Sequence, residues 1–192
     1  MSLARVSVLR GEGPDTGVPF IDDMIHTSDP VVDYLTEFSG IKCLSSCFLL
    51  KPWLTCYASA GDLDPNTSKY TLVPLKVAYK KLRMLVDLGC IFIGHGLNKD
   101  FRIINIYIPP EQIIDTVNIY HLPERQRKLS LRFLAWAVLK SAIQAESHDS
   151  IEDARTALQL YEEYNRLEAE GLWEDTLEAI YREGKQTVRA FS

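Results

Sequence analysis

The sequence has 192 residues, 46% of them hydrophobic and 24% charged, with a net charge of −5, which fits one globular domain with its own core. The acidic balance argues against broad electrostatic binding to a nucleic-acid backbone but does not exclude nucleic acid, since a metal-dependent nuclease needs clustered carboxylates. No run of 18 apolar residues is present and Met1-Ser2-Leu3-Ala4-Arg5 carries no secretory stretch, so neither a membrane-spanning helix nor export is expected.

Ala4, Val6 and Val8 alternate with Arg5 and Ser7, the period of a strand. The turn formers from Gly11 to Gly17 follow, and Val18-Pro19-Phe20-Ile21 reads as the returning strand of a hairpin. Pro19 has no N–H, which predicts an edge strand. Ser28 or Asp29 can cap a helix with Pro30 at its first position, Val31, Tyr34, Leu35 and Phe38 on one face, and Gly40 at its end. Cys43 to Ala60 is apolar without a period and is read as an atypical insertion. It holds Cys43, Cys47 and Cys56. These three show no Cys-x-x-Cys spacing and no nearby histidine, and with Cys90 they read as free thiols more than as a zinc site.

Leu75, Ala78, Tyr79, Leu82, Leu85 and Val86 form a helical stripe that Gly89 stops. Cys90 to Ile93 is a short buried strand, Gly94-His95-Gly96 a turn, and a helix opens near Asn98 and closes before Pro109-Pro110. Ile113 to Val117 reads as a further strand. Leu131, Leu134, Ala135, Val138 and Leu139 mark a helix, as do Ser150 to about Tyr164 and Trp173 to Arg182. Strands alternating with helices after a hairpin give an α/β class, a mixed sheet flanked by helices.

Two constellations can carry chemistry. In Gly94-His95-Gly96-Leu97-Asn98-Lys99-Asp100-Phe101 a buried strand enters a glycine turn, with Asp100 in the first turn of the next helix. A carboxylate there suits the helix dipole, and the carboxyl end of a strand is where ligands sit in open α/β sheets. The loop lacks the third glycine of a dinucleotide fingerprint and the Gly-Lys-Ser/Thr of a phosphate loop, so a nucleotide-binding regulator is the weaker reading. In His148-Asp149-Ser150-Ile151-Glu152-Asp153-Ala154-Arg155, Asp149 and Glu152 have capping-box spacing. That leaves His148 before the helix and Asp153 in line with Ala157 and Leu160, a carboxylate on an apolar row that needs a partner or a metal. A histidine beside it titrates in the range of a base. His95 and His121 read as packing or hydrogen-bonding histidines, Asp115-Thr116 as a structural pair at a strand end, and Arg132 as a solvated helix position.

Together these two runs resemble motifs two and three of the DEDDh 3'–5' exonucleases. Supporting runs, among them Gly11-Glu12-Gly13-Pro14, Val18-Pro19-Phe20-Ile21-Asp22-Asp23 and Ser130-Leu131-Arg132-Phe133-Leu134-Ala135-Trp136, are similar to the PAN poly(A)-specific ribonuclease subfamily. The resemblance implies a ribonuclease H-like fold and shortening of mRNA poly(A) tails with release of AMP. It implies a pair of divalent cations, Mg2+ or Mn2+, with Asp100 and Asp153 as metal ligands and His148 as the general base. It also implies poly(A) RNA as substrate, with a pseudokinase-like adaptor subunit and poly(A)-binding protein as partners. No membrane association is implied, and the expected location is the cytoplasm, with processing bodies and the nucleus as further sites. Residues 1–170 are then the exonuclease domain and 171–192 a C-terminal helical tail.

The family's first motif, Asp-x-Glu on a central strand ahead of the hairpin, has no counterpart. The expectation is therefore an N-terminally truncated sheet with two exposed edges and a chain that is inactive by itself. Asp62 and Asp64 have similar spacing but follow a loop and read as a connector, and Asp22 and Asp23 fall at the end of the third expected strand instead of the first, so neither pair is expected to replace the first motif. The alternatives are an inactive exonuclease-fold module for protein contacts and an exonuclease on other single-stranded nucleic acid.

Overall fold

The computed structural model describes residue 3 and residues 5–26, 71–143 and 149–190. The helix expected from Pro30, the insertion 43–60, Asp62, Asp64 and His148 lie outside the described residues.

Strand β1 (Arg5–Leu9) pairs antiparallel with β2 (Pro19–His26). Gly13 (φ 84°) and Gly17 (φ 77°) take the left-handed backbone the connecting turn needs. Strand β3 (Thr71–Pro74) runs parallel to β2 from Asp23 opposite Thr71 to His26 opposite Pro74. β2 is thus the middle strand of its sheet, against the edge position expected from Pro19. The proline is accommodated because it is the first residue of β2, opposite Leu9 at an irregularity in the β1 register, and β3 pairs only from Asp23 onward.

The two faces of this sheet divide by the strand period. On one, Val6, Ile25 and Val73 pack with Ala78, Leu82 and Val86 of helix α1 (Leu75–Asp87). Asp23 is buried on this side and both its carboxylate oxygens bind Lys81 Nζ of α1, at 2.9 and 2.7 Å. The other face presents Arg5, Ser7 and Asp22 to the start of helix α5 (Ser150–Ala169).

Strand β4 (Phe92–Gly94) leads into α2 (Leu97–Ile104) and pairs in parallel with β5 (Ile113–Asp115), which leads into the short α3 (Thr116–Ile119). The expected strand to Val117 ends two residues early because the Asp115 side chain accepts the Val117 N–H and starts a helix. Among the described residues the strands form two sheets, β1-β2-β3 and β4-β5. Helix α5 (Ser150–Ala169) contacts both β1 and β4 and so bridges them.

A second core lies between α4 (Leu131–Ala137), α5 and α6 (Trp173–Ala190), built on Tyr120, Leu134, Leu160, Leu177, Ile180 and Tyr181. α4 is shorter than the stripe to Leu139 predicts, whereas α5 and α6 run past their predicted ends. Helix α6, expected as a tail, contributes Leu177, Ile180 and Tyr181 to this core. The Tyr120 hydroxyl donates to the Leu160 carbonyl (2.9 Å) and that of Tyr181 to the Tyr120 carbonyl (3.2 Å), so the buried phenols are satisfied. The architecture is a ribonuclease H-like mixed α/β fold.

Candidate active site

The turn that ends β4 is built from glycines for steric reasons. A Cβ on Gly94 would come within 2.7 Å of Leu97 Cγ, and Gly96 has φ 85°. Gly96 is the N-cap of α2, yet it has no side chain with which to cap. Asp115, buried at the end of β5, supplies what is missing. Its Oδ1 accepts the Gly96 N–H (2.8 Å) and its Oδ2 the Leu97 N–H (3.1 Å), while Oδ1 also accepts the Val117 N–H (3.0 Å) of its own helix. One carboxylate therefore caps α2 and α3 together.

Thr116, fully buried, grips the same turn from the other side. Its hydroxyl donates to the Gly94 carbonyl (2.9 Å) and lies 2.9 Å from His95 Nδ1. A hydroxyl has one proton, and this one is given to the carbonyl, so the proton between Thr116 and His95 belongs to Nδ1. Burial lowers the His95 pKa below the ordinary 6.5, opposed by Asp115, a hydrogen bond to the Leu129 backbone and Asp153. His95 is thus a hydrogen-bonding histidine, as is His121, whose Nε2 lies 2.9 Å from the Arg125 carbonyl oxygen.

Asp100 stands in the first turn of α2 with its side chain exposed to solvent. Desolvation by the surrounding protein raises its pKa, the charge of Asp115 adds to this, and Lys99 opposes it. Asp153 is half-buried in the first turn of α5, on the row that continues into the buried Ala157 and Leu160. Its charge is felt at His95, next to the end of β4. The structure thus brings Asp153 toward the β4 turn from which α2 and Asp100 follow.

The start of α5 is fixed differently. Asp149 caps it by accepting the Ile151 N–H (3.1 Å) and is bound by Arg5 Nη1 (2.9 Å). Arg5 also binds Asp22 through Nε (2.7 Å) and Nη2 (3.0 Å), and Ser7 Oγ bridges Asp22 (2.9 Å) and Ser150 Oγ (2.7 Å). Asp22 and Asp23 are therefore both committed to side chains of the fold, Asp22 to Arg5 and Ser7 and Asp23 to Lys81, which argues against either as a substitute metal ligand.

The donor chemistry of Asp100 and Asp153 fits a hard divalent cation. Mg2+ is commonly held by one or two carboxylates, with water and substrate oxygens completing its shell. Among the described residues no three or more His, Cys, Asp or Glu side chains group in a way that could hold a metal by themselves. A groove of about 690 Å3 borders α2, lined by Asn98, Phe101, Arg102, Tyr107, Ile113 and Asn118.

Sequence reasoning treated Asp115 and Thr116 as structural and missed their grip on the Gly94–Leu97 turn. The available signal was an aspartate at a strand-to-helix junction, a capping position. The Arg5–Asp149 pair, 144 residues apart, left no local signal.

Comparison with known proteins gives one answer. The exonuclease family (RNase_T) matches residues 50–161, more than half of the chain, a stretch that includes Asp100, His148 and Asp153. The catalytic subunit pan2 of the PAN2-PAN3 deadenylation complex of Schizosaccharomyces pombe is 58% identical over 97% of this chain, which spans 16% of that relative. In structure, the Neurospora crassa Pan2 catalytic unit (protease and nuclease domain) is 52% identical, with a TM-score of 0.78 over 94% of this chain and 27% of that one. The Saccharomyces cerevisiae Pan2 pseudoubiquitin hydrolase-RNA exonuclease module in complex with A7 RNA is 43% identical, with a TM-score of 0.79 over 95% of this chain and 28% of that one. The chain belongs to the exonuclease family, and it is similar in sequence and fold to the nuclease domain of Pan2.

Proposed function

We propose that this chain is the nuclease domain of a poly(A)-specific 3'–5' exoribonuclease, which shortens mRNA tails by releasing AMP. The observation that carries this reading is that Asp100 stands in the first turn of α2, which follows β4, and Asp153 in the first turn of α5, which packs on β4, with the Asp153 charge felt at His95 in the turn between β4 and α2. The likeness to relatives named for deadenylation and to a structure described in complex with A7 RNA supports the substrate.

In this reading Asp100 and Asp153 hold divalent cations, Mg2+ or Mn2+. When bound, such a pair supplies an activated water and neutralises the charge that develops on the leaving oxygen. His148, one residue before the α5 cap, takes the proton from the attacking water. A Pan3-type partner follows from the name of the relatives' complex, while its pseudokinase-like character, poly(A)-binding protein as a further partner, and a location in the cytoplasm, processing bodies and nucleus rest on the family resemblance of the sequence alone. A second reading is an exonuclease fold that binds without cutting, in which Asp100 and Asp153, a single carboxylate from each of two helices, supply too few ligands for a cation pair.

The test is stepwise shortening of a 5'-labelled oligo(A) with Mg2+. With an Asp-x-Glu strand supplied ahead of Arg5 the protein should cut, whereas the chain without it should not; in the cutting protein His148→Ala should lose about 100-fold or more in rate, and Asp100→Asn should lose at least as much. Equal rates in the extended protein and both its variants would remove these residues from the chemistry. Binding of oligo(A) by the extended protein without any shortening would favour the second reading.

A further inference from the structure

We infer that Asp115, with Thr116, is a positioning residue for Asp100. The inference rests on Asp100 holding a cation as proposed above. It goes beyond that reading because neither residue belongs to the motifs that suggested it.

Helix α2 has eight residues, Leu97–Ile104, and ends at Asn105 in the left-handed conformation (φ 58°). Ile104 and Phe101 seat the far half of this short helix in the first core, Phe101 edge-on to Phe92, so the placement of its first turn, which carries Asp100, depends on how its start is held. Its N-cap, Gly96, cannot hold it. Both oxygens of Asp115 do so instead, on consecutive N–H groups, while Thr116 holds the Gly94 carbonyl on the far side of the turn. The turn is therefore clamped at both ends by two adjacent residues of the β5–α3 junction.

Asp115 and Thr116 are 7% and 0% exposed, so water cannot take over these bonds without local opening. Asp100 lies one turn from the clamped amides, and any rotation of α2 about the turn re-aims its carboxylate. Misplacing a reacting group by about 1 Å can cost about 100-fold in rate, and loss of an outer partner that orients a metal ligand typically costs about 10- to 100-fold in affinity or activity. Asn at 115 keeps the shape but offers one acceptor oxygen instead of two.

The experiment uses the protein with the Asp-x-Glu strand supplied ahead of Arg5 and four variants of it: Asp115→Asn, Thr116→Val, Thr116→Ser and Asp100→Asn. Mn2+ affinity is read from the electron paramagnetic resonance of the free ion. kcat and KM are measured on oligo(A), and amide hydrogen exchange is followed at Gly96 and Leu97. Asp115→Asn is expected to weaken Mn2+ binding about tenfold and to lower kcat by about 10- to 100-fold with KM for oligo(A) unchanged. Exchange at Gly96 and Leu97 should quicken.

Thr116→Val should move the same readouts in the same direction, and Thr116→Ser, which keeps the hydroxyl, should restore them. If Asp100→Asn loses Mn2+ affinity while Asp115→Asn and Thr116→Val keep wild-type affinity and kcat, the positioning role is overturned and the metal reading survives. Wild-type Mn2+ affinity in Asp100→Asn would overturn both. If Asp115→Asn fails to fold, the Val and Ser variants decide, and equal values in those two overturn the inference.

Discussion

Helix α2 starts at a glycine and helix α5 at an aspartate, and that single difference sets how each is held. The α2 cap is borrowed: a buried carboxylate from β5 accepts backbone N–H groups of another element. The α5 cap is its own Asp149, which is exposed and is steadied by an arginine from β1 that also holds Asp22. Strength at α2 comes from desolvated hydrogen bonds, which salt does not reach. At α5 it comes from charge pairs, which salt screens. One fold thus presents two candidate metal carboxylates through a dry joint and a wet one.

The largest expected effect breaks the dry joint. Asp115→Ala leaves three N–H groups without their acceptor, at a cost of about 3 kcal/mol or more. Equilibrium urea denaturation should show that loss to be independent of salt. A loss below about 1 kcal/mol would mean that the turn finds other partners.

A smaller effect separates the wet joint. Arg5→Met removes the pairs to Asp22 and Asp149, whose side chains are 21% and 53% exposed, and should cost about 1–2 kcal/mol at about 0.1 M salt. The difference from wild type should shrink toward about 1 M salt, as the screening length falls from about 10 to about 3 Å. Equal salt dependence for Asp115→Ala and Arg5→Met would dissolve the distinction between the joints.

The smallest effect is in pH and belongs to the dry side. His95 has a pKa below 6.5 in the folded protein because burial disfavours its charged form. As pH falls through about 6.5 the unfolded chain gains a proton before the native one does, so stability declines on acidification. His95→Gln should flatten this part of the stability profile and leave stability above pH 7 nearly constant against further pH change. An unchanged slope between about pH 7 and about pH 5 would show that other groups carry it.

Much of this was legible in the sequence. The hairpin, the α1 stripe closed by Gly89, the β4 turn and the starts of α5 and α6 all follow from period and punctuation, which are local. The reading failed where tertiary contact overrides local preference. Pro19 signals an edge but starts a central strand, because β3 pairs only further along β2. Ile113 to Val117 has the look of one strand, yet the Asp115 side chain divides it. Both joints at the site are also tertiary. Asp115 reaches 19 residues back to Gly96, and Arg5 reaches 144 residues on to Asp149. No periodicity encodes either link.

The aromatic contacts of the second core have a practical consequence. Trp173, at the start of α6, meets Tyr120 and Tyr164 edge-on, with ring centroids 4.9 and 4.7 Å away. Rings fixed edge-to-face in a chiral setting give rise to near-ultraviolet circular dichroism, a signal lost when packing loosens while helices persist. Trp136 is 44% exposed and contributes less to such a signal. The docking of α6 against Tyr120 therefore has its own optical reporter, which would register release of that helix even while the backbone remained helical.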